Sequence, residues 1–342
     1  MERRNLTEPE WDAATGDVAL LRLLVRAAIL APSGHNTQPW RFRIAEETLE
    51  LLADRSRALP VVDPDNRELT ISCGAALAHV TLAALRFGRR PEVTRIAEDG
   101  DLLARIRLGD PCEVDEDARR LFDAMTERHT DRGAFRREAV DAGLLEALRT
   151  RAAKEGVWLD VVTDDARKAA LADAVAEADL RQYADRRFRR ELADWMRPNT
   201  TVRRDGIPAF ALGIDKDLVS EAVPTAVRWL DLGRSRARED RAAAEAAPAL
   251  LVLGTEDDTV EAWLRAGEAL ATAWLEATAR GWAFSFFNQP VEDPALRPEI
   301  DRVLEHRGFP QLVVRLGRPE GPRDARRTPR RYVDEVVEAV RA

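Results

Sequence analysis

The chain has 342 residues, 45% hydrophobic and 33% charged, values of a globular protein long enough for two domains or one large pseudo-symmetric one. A net charge of −8 argues against a general nucleic-acid surface, and Lys154, Lys168 and Lys216 are the only lysines among 53 basic residues. Cys73 and Cys112 form no CxxC pair, which excludes a disulfide framework and a cysteine zinc site. No apolar run reaches membrane-span length and the N-terminus lacks an apolar signal core, so the expectation is a cytoplasmic protein with no membrane partner.

In chain order, apolar spacing predicts a helix over 16–31, which must end before Pro32 because the residue before a proline avoids the α region. The loop APSGHNTQPW (31–40) follows, with Gly34 expected to supply positive φ and Pro39 to set up a strand from Trp40. Strands are expected at 40–45 and 48–53, a helix at 70–87, and strands at 92–97 and 102–108. Next come helices at 115–128, 140–154 and 165–180 with a strand at 157–163. The region 183–247, rich in Arg, Trp and Phe, reads as helix and loop and suits a lid. Strands at 248–254, 282–286 and 311–317 and helices at 259–280 and 294–306 complete the pattern. Strands without strict βαβ alternation indicate α+β.

A repeat organises these elements. CGAALAHVTLAALRFG (73–88) and AGEALATAWLEATARG (266–281) align without gaps, with Gly74 matching Gly267 and Gly88 matching Gly281. Each is followed by a strand ending in RLG-x-P, at 104–111 and 312–319. Two related halves follow, 1–112 and 113–342, the second carrying the lid-like insertion at 183–247.

Four segments hold candidate chemistry. The opening loop is either an ordinary turn or a platform of small polar groups. Its Ser33 lies in no G-x-S-x-G elbow. His35, His79, His129 and His306 show no ligand spacing, so neither a nucleophile nor a metal is expected. RHTDRGAF (128–135) is either a solvated charge run or a phosphate cradle, with Arg128 and Arg132 on one helical turn around Thr130. The tail places Arg323, Arg326, Arg327, Arg330 and Arg331 before the last helix, as a solvated tail or the rest of that cradle. FSFFNQP (284–290) repeats the amide-and-Gln-Pro theme of the opening loop. No GxGxxG or P-loop is present.

Together these segments resemble the nitroreductase superfamily of FMN-binding flavoproteins, most like its Acg-type branch of long fused chains. APSGHNTQPW is similar to that family's Pro-Ser loop, RHTDRGAF to its R-x-S/T-x-R signature, and Arg330 with Arg331 to its C-terminal basics. The resemblance implies a nitroreductase-like fold in which two halves form an intrachain dimer, each a mixed or antiparallel sheet flanked by helices. It implies one intact FMN site and one degenerate one, because the second half has LLEALRTRAAKEGVWLDVV where a Pro-Ser loop would stand. Arg128, Thr130, Arg132, Arg330 and Arg331 would hold the phosphate. Pro32, Ser33 and Gly34 would face the ring system, Asn36 and Gln38 would order the loop or reach the ribityl chain, and Ser285 and Asn288 would lie along the flavin N5 edge. The flavin then carries the chemistry with no side-chain acid or base, NADH or NADPH is the candidate reductant, and a small molecule the acceptor. A flavin-storing protein with a lid is the alternative. The chain could act as a pseudo-dimeric monomer or as a homodimer.

Overall fold

The computed structural model describes residues 6–96, 100–305, 308–321 and 326–338; His306, Arg323 and the end of the strand expected to reach 97 lie outside them. After a short α1 (Glu8–Asp12), the first unit runs α2 (Asp17–Ala28), β1 (Trp40–Ala45), β2 (Thr48–Ala53), α3 (Arg67–Arg86), β3 (Arg89–Arg95) and β4 (Leu102–Pro111). After α4 (Glu116–Ala124), the second begins with α5 (Ala142–Lys154) and β5 (Trp158–Val162). An insertion then carries α6 (Asp165–Ala184), α7 (Arg186–Trp195), β6 (Met196–Arg197), β7 (Ile207–Pro208), α8 (Asp217–Trp229) and α9 (Gly233–Ala246). The unit resumes with β8 (Ala249–Thr255), α10 (Val260–Ala279), β9 (Ala283–Phe286), α11 (Gln289–Glu292), α12 (Arg297–Leu304) and β10 (Phe309–Gly317), and α13 (Val333–Val336) ends the described chain.

The two sheets have the same plan. One is ordered β1-β2-β4-β3 and the other β5-β8-β10-β9, each antiparallel throughout. The RLG strands β4 and β10 occupy the same interior place in each order, so the repeat seen in sequence is a repeat of topology. The α6–α9 insertion interrupts the β5–β8 hairpin, where the first unit has a tight β1–β2 turn with Glu46 at φ 54°.

The repeat helices α3 and α10 pack directly on each other. A Cβ on Gly74 would lie 2.0 Å from the Leu264 carbonyl oxygen, and one on Gly267 would lie 2.0 Å from the Ile71 carbonyl oxygen. Under the repeat alignment Gly74 matches Gly267 and Ile71 matches Leu264. The crossing therefore sits on a pseudo-two-fold axis, and backbone approaches backbone because both helices lack a side chain there. Leu264, Ala271 and Leu275 of α10 join the core around α2, α3 and the first sheet, while Ile71 of α3 joins the core of the second. α4 also packs into the first core through Leu121 and Phe122.

α3 is long and apolar enough to cross a bilayer by length and composition, contrary to the run-length reading of the sequence, yet 89% of its most apolar window is buried in the protein. Several helix ends also differ from expectation. α2 stops at Ala28, so Leu30 and Ala31 already belong to the turn before Pro32. α4 stops at Ala124, short of 128. α3 begins at Arg67, because Asp63 accepts the Glu68 and Leu69 backbone N–H groups at its N-terminus (3.1 and 2.9 Å). The helix-and-loop reading of 183–247 missed only the two-residue pairing of β6 with β7.

Gly267→Ala is expected to destabilise the protein by about 3 kcal/mol, since overpacking at a backbone crossing outweighs the roughly 1 kcal/mol that alanine gains in a helix. Urea denaturation checks the sign: a variant as stable as the parent would mean the helices separate at little cost.

Candidate functional site

The loop between α2 and β1 is wound tightly. His35, Asn36 and Gln38 have φ of 48°, 53° and 53°, while Gly34 lies outside the left-handed region, contrary to the expectation that glycine would take it. Left-handed backbone at a residue such as Gln costs about 1–2 kcal/mol, so the surroundings must hold it. Ser33 does so from within, its Oγ accepting the Gln38 N–H at 2.9 Å. The two amide side chains do so from without. Asn36 Nδ2 donates to the Gly206 carbonyl (3.0 Å), and its Oδ1 accepts from Arg330 (2.8 Å). Gln38, fully buried, donates to the Arg204 carbonyl (2.7 Å) and accepts the Arg331 N–H (2.8 Å). Three remote segments, 33–38, 204–206 and 329–331, are thereby locked together.

Two adjoining cavities open beside this loop. The first, about 510 Å³, has Pro32, Ser33 and Gly34 on one side and Ser285, Phe286, Phe287 and Asn288 on another. The second, about 570 Å³, is lined by Arg128, Arg132, Arg326 and Arg330 with Thr130 and Thr328. Pro32, Ser33, His35, Thr130 and Arg132 line both, so the two form one groove that is aromatic at one end and basic at the other. Ile207 and Leu212 of the insertion also line both, and Phe210 and Ala211 cover the basic end.

The cradle is not a helical turn. Thr130 pairs with Phe284 as an isolated parallel bridge, and the Asp131 N–H donates to the Phe284 carbonyl (3.0 Å), so 128–132 is extended along β9. The two arginines separate as a result. Arg128 is buried, lies over the Trp274 ring at 4.3 Å and donates to the Leu30 carbonyl at the end of α2 (3.2 Å). Arg132 projects into both cavities and donates to the Ala211 carbonyl (3.0 Å). It makes no ion pair among the described residues. Arg132 keeps an exposed face, and the protein packed around it, and then the nearby Arg236, lower its pKa to about 10. His35 is likewise lowered to about 4, by burial and then by Arg132, and is neutral at pH 7. Positive charge at this wall is undercompensated, which is the electrostatic signature of an anion site.

At the aromatic end the carboxylates Glu68, Asp179, Glu239, Asp240 and Glu292 outnumber Arg132, Arg236 and Arg315. Asp179 and Tyr183 of α6 and Arg236 and Asp240 of α9 line the wall. Burial, and then Asp240, raise Asp179 to about 7. Opposite them Glu68 of α3 and Glu292 of α11 face each other, both raised by burial, with Glu68 accepting from Asn288 (2.9 Å) and Glu292 from Gln182 (2.6 Å).

Of the residues expected from sequence, Pro32, Ser33, Gly34, Thr130, Arg132, Ser285 and Asn288 line the aromatic cavity. Asn36, Arg128 and Arg330 line the basic one. Gln38 and Arg331 line neither: Gln38 is a tie, and the Arg331 guanidinium turns to Asp54 at 3.6 Å. Sequence reading passed over Arg236, Arg315, Asp179 and Asp240. Arg236 and Asp240 are at i and i+4 of α9, and Asp179 stands with Gln182 and Tyr183 at i, i+3 and i+4 of α6, a spacing that also describes any solvated helix face.

No family model matches the chain. It is 34% identical over 325 residues, 94% of this chain and 92% of the other, to a Mycobacterium tuberculosis protein named "Putative NAD(P)H nitroreductase Rv3131". It is 32% identical over 328 residues, 93% and 95%, to "Putative NAD(P)H nitroreductase acg" of the same species. Among solved structures, the FMN and NADPH-dependent nitroreductase NfnB of sphigopyxis sp. strain HMH is 19% identical with a TM-score of 0.42, covering 64% of this chain and 98% of that one. With a third of its residues identical across nearly the full length of these M. tuberculosis relatives, the chain belongs to the nitroreductase family, alongside the Acg-type proteins.

Proposed function

We propose that the chain is an FMN-dependent oxidoreductase, reduced by NADH or NADPH and oxidised by a nitroaromatic, a quinone or a biosynthetic intermediate. One observation carries the reading. The loop 32–34, the extended segment 128–132, the insertion 284–288 and the C-terminal arginine Arg330 converge on one groove that is basic at one end and aromatic at the other. The donor set fits the cofactor. Arg132, Arg326 and Arg330 with the Thr130 and Thr328 hydroxyls suit a phosphate, and Arg132 lacks the carboxylate that would otherwise balance it. Pro32, Ser33 and Gly34 would bound the ring system, and the backbone around Ser285 and Asn288 its reactive edge. FMN would supply the hydride and electron transfer. The protein's own part is to hold the phosphate, fix the loop through Asn36 and Gln38, and keep water from the aromatic end. A cytoplasmic setting, where NAD(P)H is available, goes with this reading.

We assign the halves as 1–112 and 113–342, with one intact site. Glu68, Ile71, Ser72 and Ala75 of α3 line the groove. Their repeat counterparts are Glu261, Leu264, Arg265 and Glu268 of α10. There Arg265 pairs with Glu261 (2.8 Å) and Arg95 with Glu268 (2.7 Å), which supports a second site filled by ion pairs. All the residues proposed to hold FMN come from one chain, so a monomer suffices.

A storage role is favoured by a different observation. Segment 204–212 is stitched across the groove by the Arg204, Gly206 and Ala211 carbonyls, which accept from Gln38, Asn36 and Arg132. A cover tied at three points would restrict access to the ring.

Three measurements test these readings. Protein reconstituted with FMN should retain flavin absorbance after desalting, and Arg132→Ala should weaken FMN at least tenfold, the cost of one charged hydrogen bond; an unchanged affinity sinks the phosphate assignment. Anaerobic stopped-flow mixing with NADPH and NADH should bleach the flavin rapidly, whereas a flavin that resists both would establish storage. The third concerns His35, whose folded pKa of about 4 lies below its ordinary value near 6.5. Its contribution to stability is present above about 6.5 and lost as pH falls through about 4. His35→Asn, which tolerates the left-handed backbone, should lose less stability than the parent between pH 7 and pH 4 in urea titrations without FMN; equal losses would show that His35 is not held neutral.

A further inference from the structure

Asp179 stands out among the polar groups of the groove. It is 1% exposed, lines the aromatic cavity, and its Oδ2 has no hydrogen-bond partner among the described residues. Its other oxygen accepts from Gln289 Nε2 at 3.2 Å. The same amide reaches Asp240 at 3.3 Å, and Arg236 holds both oxygens of Asp240 at 3.0 and 3.1 Å. The local cation is therefore committed to Asp240, and Asp179 keeps an open acceptor. A buried carboxylate oxygen without a donor is costly, and native proteins retain such groups where a ligand completes them.

We propose that the α6 wall of the cavity recognises a hydrogen-bond donor on an aromatic ligand, best a cationic amine, received by the open oxygen of Asp179. The aromatic part follows from the neighbours: Tyr183 and Phe188 stand edge to face at 5.5 Å and line the cavity with Phe286. The cationic preference follows from the charge balance: Glu68, Asp179, Glu239, Asp240 and Glu292 line the cavity against Arg132, Arg236 and Arg315, and Arg236 is bonded to Glu239 and Asp240. A raised Asp179 pKa accords with this, because an ammonium beside it would favour the ionised form. The inference rests on the groove being an oxidoreductase or flavin-storage site and names the class of second ligand it takes. A donor could also come from the flavin's own imide N–H. Asp179 lines the aromatic cavity and not the basic one, which favours the second ligand.

The test uses the full-length oxidised protein saturated with FMN, titrated by calorimetry with 4-nitrobenzylamine and with 4-nitrotoluene. These differ by an ammonium at one position. The parent should bind the amine at least tenfold more tightly. Asp179→Asn and Asp179→Leu should reduce that preference to within about threefold, as expected when a charged partner is removed from a recognition pair, and leave FMN affinity unchanged. A parent with no preference overturns the proposal without reference to any variant. So does a preference kept in both variants, or an FMN affinity that falls tenfold in them, which would assign the carboxylate to the flavin. A parent that binds no FMN refutes the flavin reading instead, and the same two titrations on that protein still decide the amine preference.

Discussion

The crossing of α3 and α10 is the constraint on which the rest depends. Two helices can bring carbonyl and Cα together only where neither carries a side chain, and Gly74 and Gly267 supply that at equivalent points of the repeat. The contact fixes the orientation of two sheets that share no hydrogen-bonded ladder among the described residues. It also fixes where the groove lies. α3 contributes Glu68, Ile71 and Ser72 to the wall, and α10 contributes Leu270 and Trp274, from either side of the crossing. A shift of one helix along the other would move both walls at once.

A second set of constraints keeps the loop at the groove in its wound form. Three left-handed residues without glycine would relax in an isolated peptide. Here the side chains that occupy those positions hold the segments that hold them. Asn36 and Gln38 saturate their amides on backbone groups of 204–206 and 329–331, and Arg330 closes the circuit on Asn36. Because the C-terminal segment also lies along β1, with Val337 bridging Phe42, the last described residues reach across to the first sheet. Basic groups from the end of the chain and small polar groups from its beginning thus meet at one wall.

Much of this was legible in the sequence because it is written locally or by repetition. The aligned glycines and the paired RLG strands announced two units of one plan. The Pro-rich loop and the Arg-x-Thr-x-Arg segment marked the groove. Features set by distant partners were not legible. The segment 128–132 looks helical from its arginine spacing, but Phe284 draws Thr130 into a strand pairing, so Arg128 ends on Trp274 and Arg132 in the cavity. Sequence points to Gly34 for positive φ, while tertiary ties place it on His35, Asn36 and Gln38. The acidic wall was invisible for another reason: Asp179, Gln182 and Tyr183 form a polar stripe on a charged helix, and only the packing of α6 on α9 turns that stripe inward.

The asymmetry of the duplicated plan follows from where the chain is interrupted. A tight turn joins β1 to β2, but α6 to α9 stand between β5 and β8, and they supply the cover and the acidic wall on one side of the pseudo-axis only. On the other side the equivalent positions of α10 carry Glu261, Arg265 and Glu268. Glu268 is almost fully buried there and would be costly alone, since burial raises its pKa to about 7. Arg95 answers it with two bonds of 2.7 and 3.0 Å and reaches Glu155 as well. Fusion removes the requirement that both sides be alike. One crossing can then support a groove on one side and a packed polar cluster on the other, and each half keeps the fold that the other needs.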